Sequence, residues 1–212
     1  MIPLAHAKKT IKANPAKVTA KQFLAMIAEN PSVFEHWNTP LEITEYVDCK
    51  NSPISHLSTH LTFSGRDEDG DVATFKHCLH LKIATGTFNG GVWFCNSGIE
   101  KIENLQVTQP DNQGFSATFA DCKNLQIATG NYVGTVIFSG SGVHSIQNLH
   151  IQNLRPTEEY ADFSKCPNLQ NLKGWDLSKK ILIEPKKLQA EKERRALQKF
   201  HKETGPTSLP FL

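Results

Sequence analysis

Apolar and polar positions alternate in short runs through the middle of the chain, and the runs recur. Leu81-Lys82-Ile83, Leu105-Gln106-Val107 and Leu149-His150-Ile151 each read apolar, polar, apolar. That is the period of a strand with one face turned inward. The large apolar residues around them stand 44 apart: Phe75, Phe119 and Phe163; Cys78, Cys122 and Cys166; Leu81, Leu125 and Leu169. Ala84-Thr85-Gly86 returns as Ala128-Thr129-Gly130, and Ser97-Gly98-Ile99 returns as Ser141-Gly142-Val143.

The Phe anchors fall at 75, 94, 119, 138 and 163, so the 44-residue unit divides into steps of 19 and 25. One step reads Phe-x-x-Cys-x-x-Leu, and the other Phe-x-x-Ser-Gly-(Ile/Val). A segment of 22 residues cannot bury its own apolar face. Stacked about 4.8 Å from its neighbours, each Phe, Cys and Leu finds its like above and below. The pattern predicts a mainly β solenoid. About six 22-residue coils would stack as a 44-residue double repeat, with helical caps at both ends.

An earlier coil is legible at Cys49-x-x-Ser52-Pro53-Ile54-x-x-Leu57, which lies 45 rather than 44 residues before its counterpart at Phe94. The extra residue is expected in the polar loop Gly65–Asp71. Thr19-x-x-Gln22 is a capping box ahead of Phe23, Leu24, Met26 and Ile27, and it predicts a helix over about 19–29 with a further turn at 31–37. Glu184-Pro185 opens a charged helix reaching about Lys202. The organisation expected is an N-terminal helical cap at 1–40, a repeat body at 41–180, and a C-terminal charged helix with a tail at 181–212.

The Phe-x-x-Cys-x-x-Leu coil resembles the leucine-rich repeats called BspA-like, over residues 45–180. The resemblance implies a solenoid that binds other proteins or surfaces. Here the Cys appears in alternate coils, and Ala-Thr-Gly-x-(Phe/Tyr)-x-Gly is an added signature. A right-handed parallel β-helix is the rival architecture, since it too takes coils of this length.

Charge changes the picture modestly. The net charge is +2. Residues 1–35 carry five Lys against two Glu, and residues 180–212 carry eight Lys/Arg against four Glu. The body at 36–179 keeps ten basic and fifteen acidic residues, so it is mildly acidic between basic ends. No leader-like apolar core opens the chain, and no apolar run nears the roughly 18 residues of a membrane span. The Cys-column members lie two strand spacings apart, about 9–10 Å, beyond the roughly 7 Å Cα limit of a disulfide. Buried, reduced thiols and a cytoplasmic setting follow as the expectation.

Candidate chemistry thins out against the repeat. Asp67-Glu68-Asp69-Gly70-Asp71 has alternating carboxylates suited to calcium, yet it lacks the closing bidentate Glu and reads as a solvated loop. His56, His60, His77 and His80 around Cys78 could suit zinc, but Cys122 and Cys166 have no such neighbours. Cys95 has no base nearby in sequence, and Thr85 and Thr129 read as corner residues. The expectation is therefore no catalytic, cofactor or metal site and a non-enzymatic scaffold for protein–protein interaction.

Function is then expected in outward residues that vary. Trp93 and Ile137 fall between inward neighbours and predict an exposed apolar column. Glu100 and Lys101 give way to His144 and Ser145 one unit later. Trp93, Ile137, Glu100, Lys101 and His144 are the expected partner-binding residues. A second copy of the chain, meeting through the solenoid ends or the Trp93/Ile137 face, is an alternative occupant. A carbohydrate-binding or carbohydrate-active β-helix is one alternative function. A regulator touching nucleic acid through the basic termini is another, disfavoured by the interleaved Glu191, Glu193 and Glu203.

Overall fold

A computed structural model describes residues 14–146, 148–152 and 161–169, with the backbone of Ile181–Leu182. The chain passes back and forth between two sheets in which all neighbouring strands are parallel. The first sheet runs Ala16–Val18, Leu41–Ile43, Leu61–Phe63, Thr87–Phe88, Lys101–Val107, Ile127–Val133, Leu149–Gln152, and Ile83–Ala84 also pairs with Lys101–Val107. The second runs Val47–Asp48, Asp71–Thr74, Gly91–Trp93, Phe115–Thr118, Thr135–Ile137, Ala161–Asp162, Ile181–Leu182.

This corrects the expected architecture. In place of a solenoid with helical caps at both ends, the described residues form two parallel sheets, of eight and seven strands, and one helix. The physical reason lies in what the 19- and 25-residue steps specify. They set parallel pairing of like residues in two sheets, and the end of the first sheet is taken by a strand: Ala16–Val18 pairs Leu41–Ile43 in register. The expected helix from Glu184, the tail and the loop Arg155–Glu159 lie outside the described residues.

The one helix, Ala20–Glu29, follows from its capping box. Thr19 Oγ1 accepts the Gln22 N–H, and Gln22 Oε1 accepts the Thr19 N–H. Asn30 ends it, and Phe23 and Ile27 turn inward. Phe23 stacks on Phe34 at 5.0 Å and meets the edge of Phe63 at 5.5 Å.

The core lies between the sheets. Phe75, Phe94, Phe119, Phe138 and Phe163 form one continuous stack with centroid steps of 5.2, 5.1, 5.1 and 5.0 Å. Phe63 and Phe88 stack beside it at 4.7 Å, and Tyr132 meets Phe119 edge-on. Two residues after each anchor the backbone turns left-handed: Asn51, His77, Asn96, Asp121, Gly140 and Lys165 all have φ between 55° and 70°. Three residues after it comes a column in which Ser and Cys alternate. Ser97 Oγ lies 3.4 Å from Cys122 Sγ, and Ser141 Oγ lies 3.6 Å from Cys166 Sγ. The thiols of Cys78, Cys122 and Cys166 donate to the carbonyls of Cys49, Phe94 and Phe138 at 2.9, 3.0 and 3.0 Å.

The extra residue is not in the loop Gly65–Asp71. Asp67 Oδ1 accepts the Asp69 and Asp71 N–H groups, and Asp111 Oδ1 accepts those of Gln113 and Phe115 in the same way. These two caps are 44 apart, so the loop has regular length. His56 pairs Ile83, and Ile83 pairs Lys101, while Phe63 pairs Phe88 and Phe88 pairs Val107. The insertion therefore falls between Leu57 and Leu61. Three residues lie there, where the later unit has only Glu103 and Asn104 between Ile102 and Leu105.

Candidate functional site

The register of the second sheet sets one outward column: Asp48, Thr74, Trp93, Thr118, Ile137 and Asp162. Val92, Ala117, Val136 and Ala161 alternate with it and face the core. Trp93 and Ile137 do share a column, but Thr118 stands between them. They lie two strands apart, about 9.6 Å at sheet spacing, and both are half-buried.

Trp93 sits at the centre of a polar constellation. Its Nε1–H donates to Asp71 Oδ2 at 2.7 Å, and Lys76 Nζ lies 4.1 Å from its ring centroid. The second carboxylate oxygen, Asp71 Oδ1, is buried without a hydrogen-bond partner, as is the Thr74 hydroxyl beside Trp93. Burial pushes the Asp71 carboxyl up. The indole hydrogen bond acts against the rise, and the charges of Asp111, Asp67 and Asp69 add to it. Burial, with Asp48, Asp67 and Asp71 nearby, pushes the Tyr46 phenol up to about 12.

The sign for stability follows. A carboxyl whose folded pKa lies above its unfolded value binds more protons when folded, so stability falls as pH rises through that window. Asp71→Asn removes the charge and keeps an oxygen for the indole. It is expected to be more stable than the parent at pH 7, with the difference shrinking below the ordinary carboxylate range. Urea denaturation of both proteins at pH 3.5 and pH 7 checks this. A parent more stable than Asp71→Asn at pH 7 would refute it.

Glu100, Lys101 and His144 are off this column. Glu100 and His144 line a hollow of about 490 Å³ with Lys123 and Gln126, at the corner leading into the first sheet. Glu100 Oε1 pairs Lys82 Nζ at 2.5 Å. Lys101 is exposed at the start of its strand, in register with Ile127, which is 42 % exposed. A neighbouring hollow of about 460 Å³ contains Leu79, which is 68 % exposed, with Asp121 and Lys123. The structure thus divides the five expected residues into a sheet-face pair, Trp93 and Ile137, and a corner group.

Sequence reasoning missed Thr74, Lys76 and Tyr46, and read Asp71 only as part of a solvated loop rather than as the partner of Trp93. A signal for Asp71 was present: it stands 44 before Phe115, so a carboxylate replaces an aromatic ring in otherwise matched units. The thiols of Cys49, Cys78, Cys95 and Cys122 are held toward the protonated form. Burial raises Cys95, pushes Cys78 and Cys122 up to about 11, and raises Cys49 well above the ordinary thiol range.

Among the described residues no three His, Cys, Asp or Glu side chains are grouped to hold a metal ion, and no helix is long and apolar enough to cross a membrane. No family model, curated protein or solved structure matches this chain.

Proposed function

We propose that the chain is a non-enzymatic binding protein, and that the outward face around Trp93 and Ile137 receives a Lys- or Arg-bearing segment of a protein partner. The observation that carries this is the charge around the aromatic ring. Asp71 touches Trp93, Asp111, Asp67 and Asp69 act on Asp71, and Asp48 and Asp162 stand further along the column on either side. Of the cations here, Arg66 is already committed to the carbonyls of Asn89 and Pro110, at 2.8 and 3.0 Å. Lys76 over Trp93 shows the kind of contact the ring accepts, and an incoming cation would make the same one. The resemblance of the Phe-x-x-Cys-x-x-Leu coil to protein-binding repeats supports the same reading.

The test uses peptides of one length that are Lys/Arg-rich, neutral or Asp/Glu-rich, titrated calorimetrically at low and high salt. The basic peptide should bind, weaken with salt, and weaken at least about tenfold on Trp93→Ala/Ile137→Ala. Equal binding by the double variant removes this face from the proposal. Preference for the neutral or acidic peptide overturns the partner's chemistry.

A further inference from the structure

The regular spacing breaks once among the described units, between Leu57 and Leu61, and the break has a chemical consequence. In the regular unit the Thr129 hydroxyl is held on both sides. It accepts the Asn104 N–H at 2.8 Å and donates to the Ile102 carbonyl at 3.2 Å. Thr85 occupies the same position 44 residues earlier, is 5 % exposed, and its hydroxyl has no hydrogen-bond partner. The strand that would supply that carbonyl and amide carries the extra residue instead. Ser58 there donates to the Trp37 carbonyl at 2.7 Å and accepts the His60 N–H at 3.2 Å, which ties the enlarged turn to the segment after the helix.

A cleft of about 320 Å³ opens at this place, lined by Trp37, Leu57, His60, Ile83, Thr85 and Glu103. His56 and Glu35 also line it, with His56 Nδ1 at 3.9 Å from Glu35 Oε2 and 2.9 Å from Ser55 Oγ. The volume is at the small end of the roughly 300–1,000 Å³ of ligand pockets.

We propose that this cleft binds one neutral pyranose ring of a saccharide. Such a ring has an apolar C–H face and a rim of hydroxyls that each donate and accept. Trp37, Leu57 and Ile83 supply apolar surface, and the indole N–H of Trp37 is already given to the Thr39 carbonyl at 2.7 Å, so its ring carbons are what it offers. Glu35 and Glu103 accept, the imidazoles donate or accept, and the Thr85 hydroxyl, buried in the cleft wall of the free protein, does both once a χ1 rotation turns it to the ring.

Other ligand classes fit less well. An anion would meet Glu35 and Glu103. An ammonium group satisfies the carboxylates but has no acceptor for the Thr85 hydroxyl. A metal ion lacks its donor set among the described residues.

The experiment titrates the full chain with methyl glycosides of glucose, galactose, mannose and N-acetylglucosamine, followed by saturation-transfer NMR and calorimetry. Butylamine and inorganic phosphate serve as the cationic and anionic probes. At least one glycoside should saturate the protein in the millimolar range. Thr85→Val should weaken it about tenfold with a melting temperature equal to or above the parent, since the hydroxyl removed has no partner in the free protein. Trp93→Ala/Ile137→Ala should leave glycoside binding unchanged, which separates this site from the partner face. Absence of glycoside binding, binding unaltered by Thr85→Val, or uptake of butylamine or phosphate in its place overturns the proposal.

Discussion

Gly98→Ala and Gly142→Ala are each expected to destabilise the fold by about 3–5 kcal/mol, enough to unfold a marginal domain. An added Cβ would lie 2.0 Å from the Leu79 carbonyl oxygen at Gly98, and 2.1 Å from that of Lys123 at Gly142. Both contacts are to backbone, so no rotamer change relieves them. The approach is also fixed, because the Gly98 N–H donates to the Cys78 carbonyl and the Gly142 N–H to that of Cys122, both at 3.1 Å. Relief would require a neighbouring pass of the chain to move, and the Phe stack and Ser/Cys column move with it. Pro53 occupies the equivalent position in the first unit and is exposed at the edge strand's end of the second sheet. Pro53→Ala should therefore change stability by less than about 1 kcal/mol, mostly through the unfolded chain. Urea midpoints followed by far-ultraviolet circular dichroism decide it. Gly142→Ala unfolding at the parent's midpoint would show that the sheets are not packed this closely.

The next largest effect is expected at the middle of the aromatic stack. Phe119 is fully buried, with Phe94 and Phe138 both at 5.1 Å and the edge of Tyr132 at 6.4 Å. Phe119→Ala should cost about 3–5 kcal/mol, the transfer of a ring plus a cavity bounded by rigid sheets. Phe119→Leu should cost clearly less, since it refills most of the volume. The stack also predicts coupling. Part of what Phe119 contributes is ring contact with Phe94, so a Phe94→Ala/Phe119→Ala protein should be less destabilised than two separate losses imply. A double-mutant cycle by equilibrium denaturation measures this, on a host stabilised by an osmolyte if the double variant unfolds in buffer. Additivity within about 0.5 kcal/mol would mean that the rings act independently.

The legible part of the fold was its core. The Phe anchors that alternate in steps of 19 and 25 are the residues whose rings touch, so the repeat announced the column in which they stack. The capping box at Thr19 was equally readable, because it depends on two side chains three residues apart. The Ser/Cys alternation was written in the two coil signatures, but its hydrogen bonds depend on strand order. The helix expected over about 19–29 is present, but the strand before it at the first sheet's end was not legible, for a specific reason. Ala16-Lys17-Val18 is too short to announce itself as a strand, and pairing with Leu41–Ile43 creates it. The inserted residue was misplaced because a polar loop is the usual home for one, and register alone moved it to Leu57–Leu61.

The candidate sites were less visible. Trp93 and Ile137 could be read as outward from alternation, whereas Thr118 between them could not, because that needs the sheet order. Asp71 and Thr85 matter through partners they have or lack, and neither is a property of local sequence.

The pairing distances carry a consequence for how the chain finds this state. Among the described residues every strand pair joins residues no more than 26 apart, the separation of Val47 from Ala73 and of Lys101 from Ile127. Against 212 residues that is a relative contact order of about 0.1, the range of helical bundles rather than of β-sandwiches. Parallel sheets are ordinarily slow to form because each pairing closes a long loop. Here each closure is short and rests on the one before it. Folding can therefore advance by adding one pass of chain at a time, and an emerging nascent chain can complete each addition before the next segment appears.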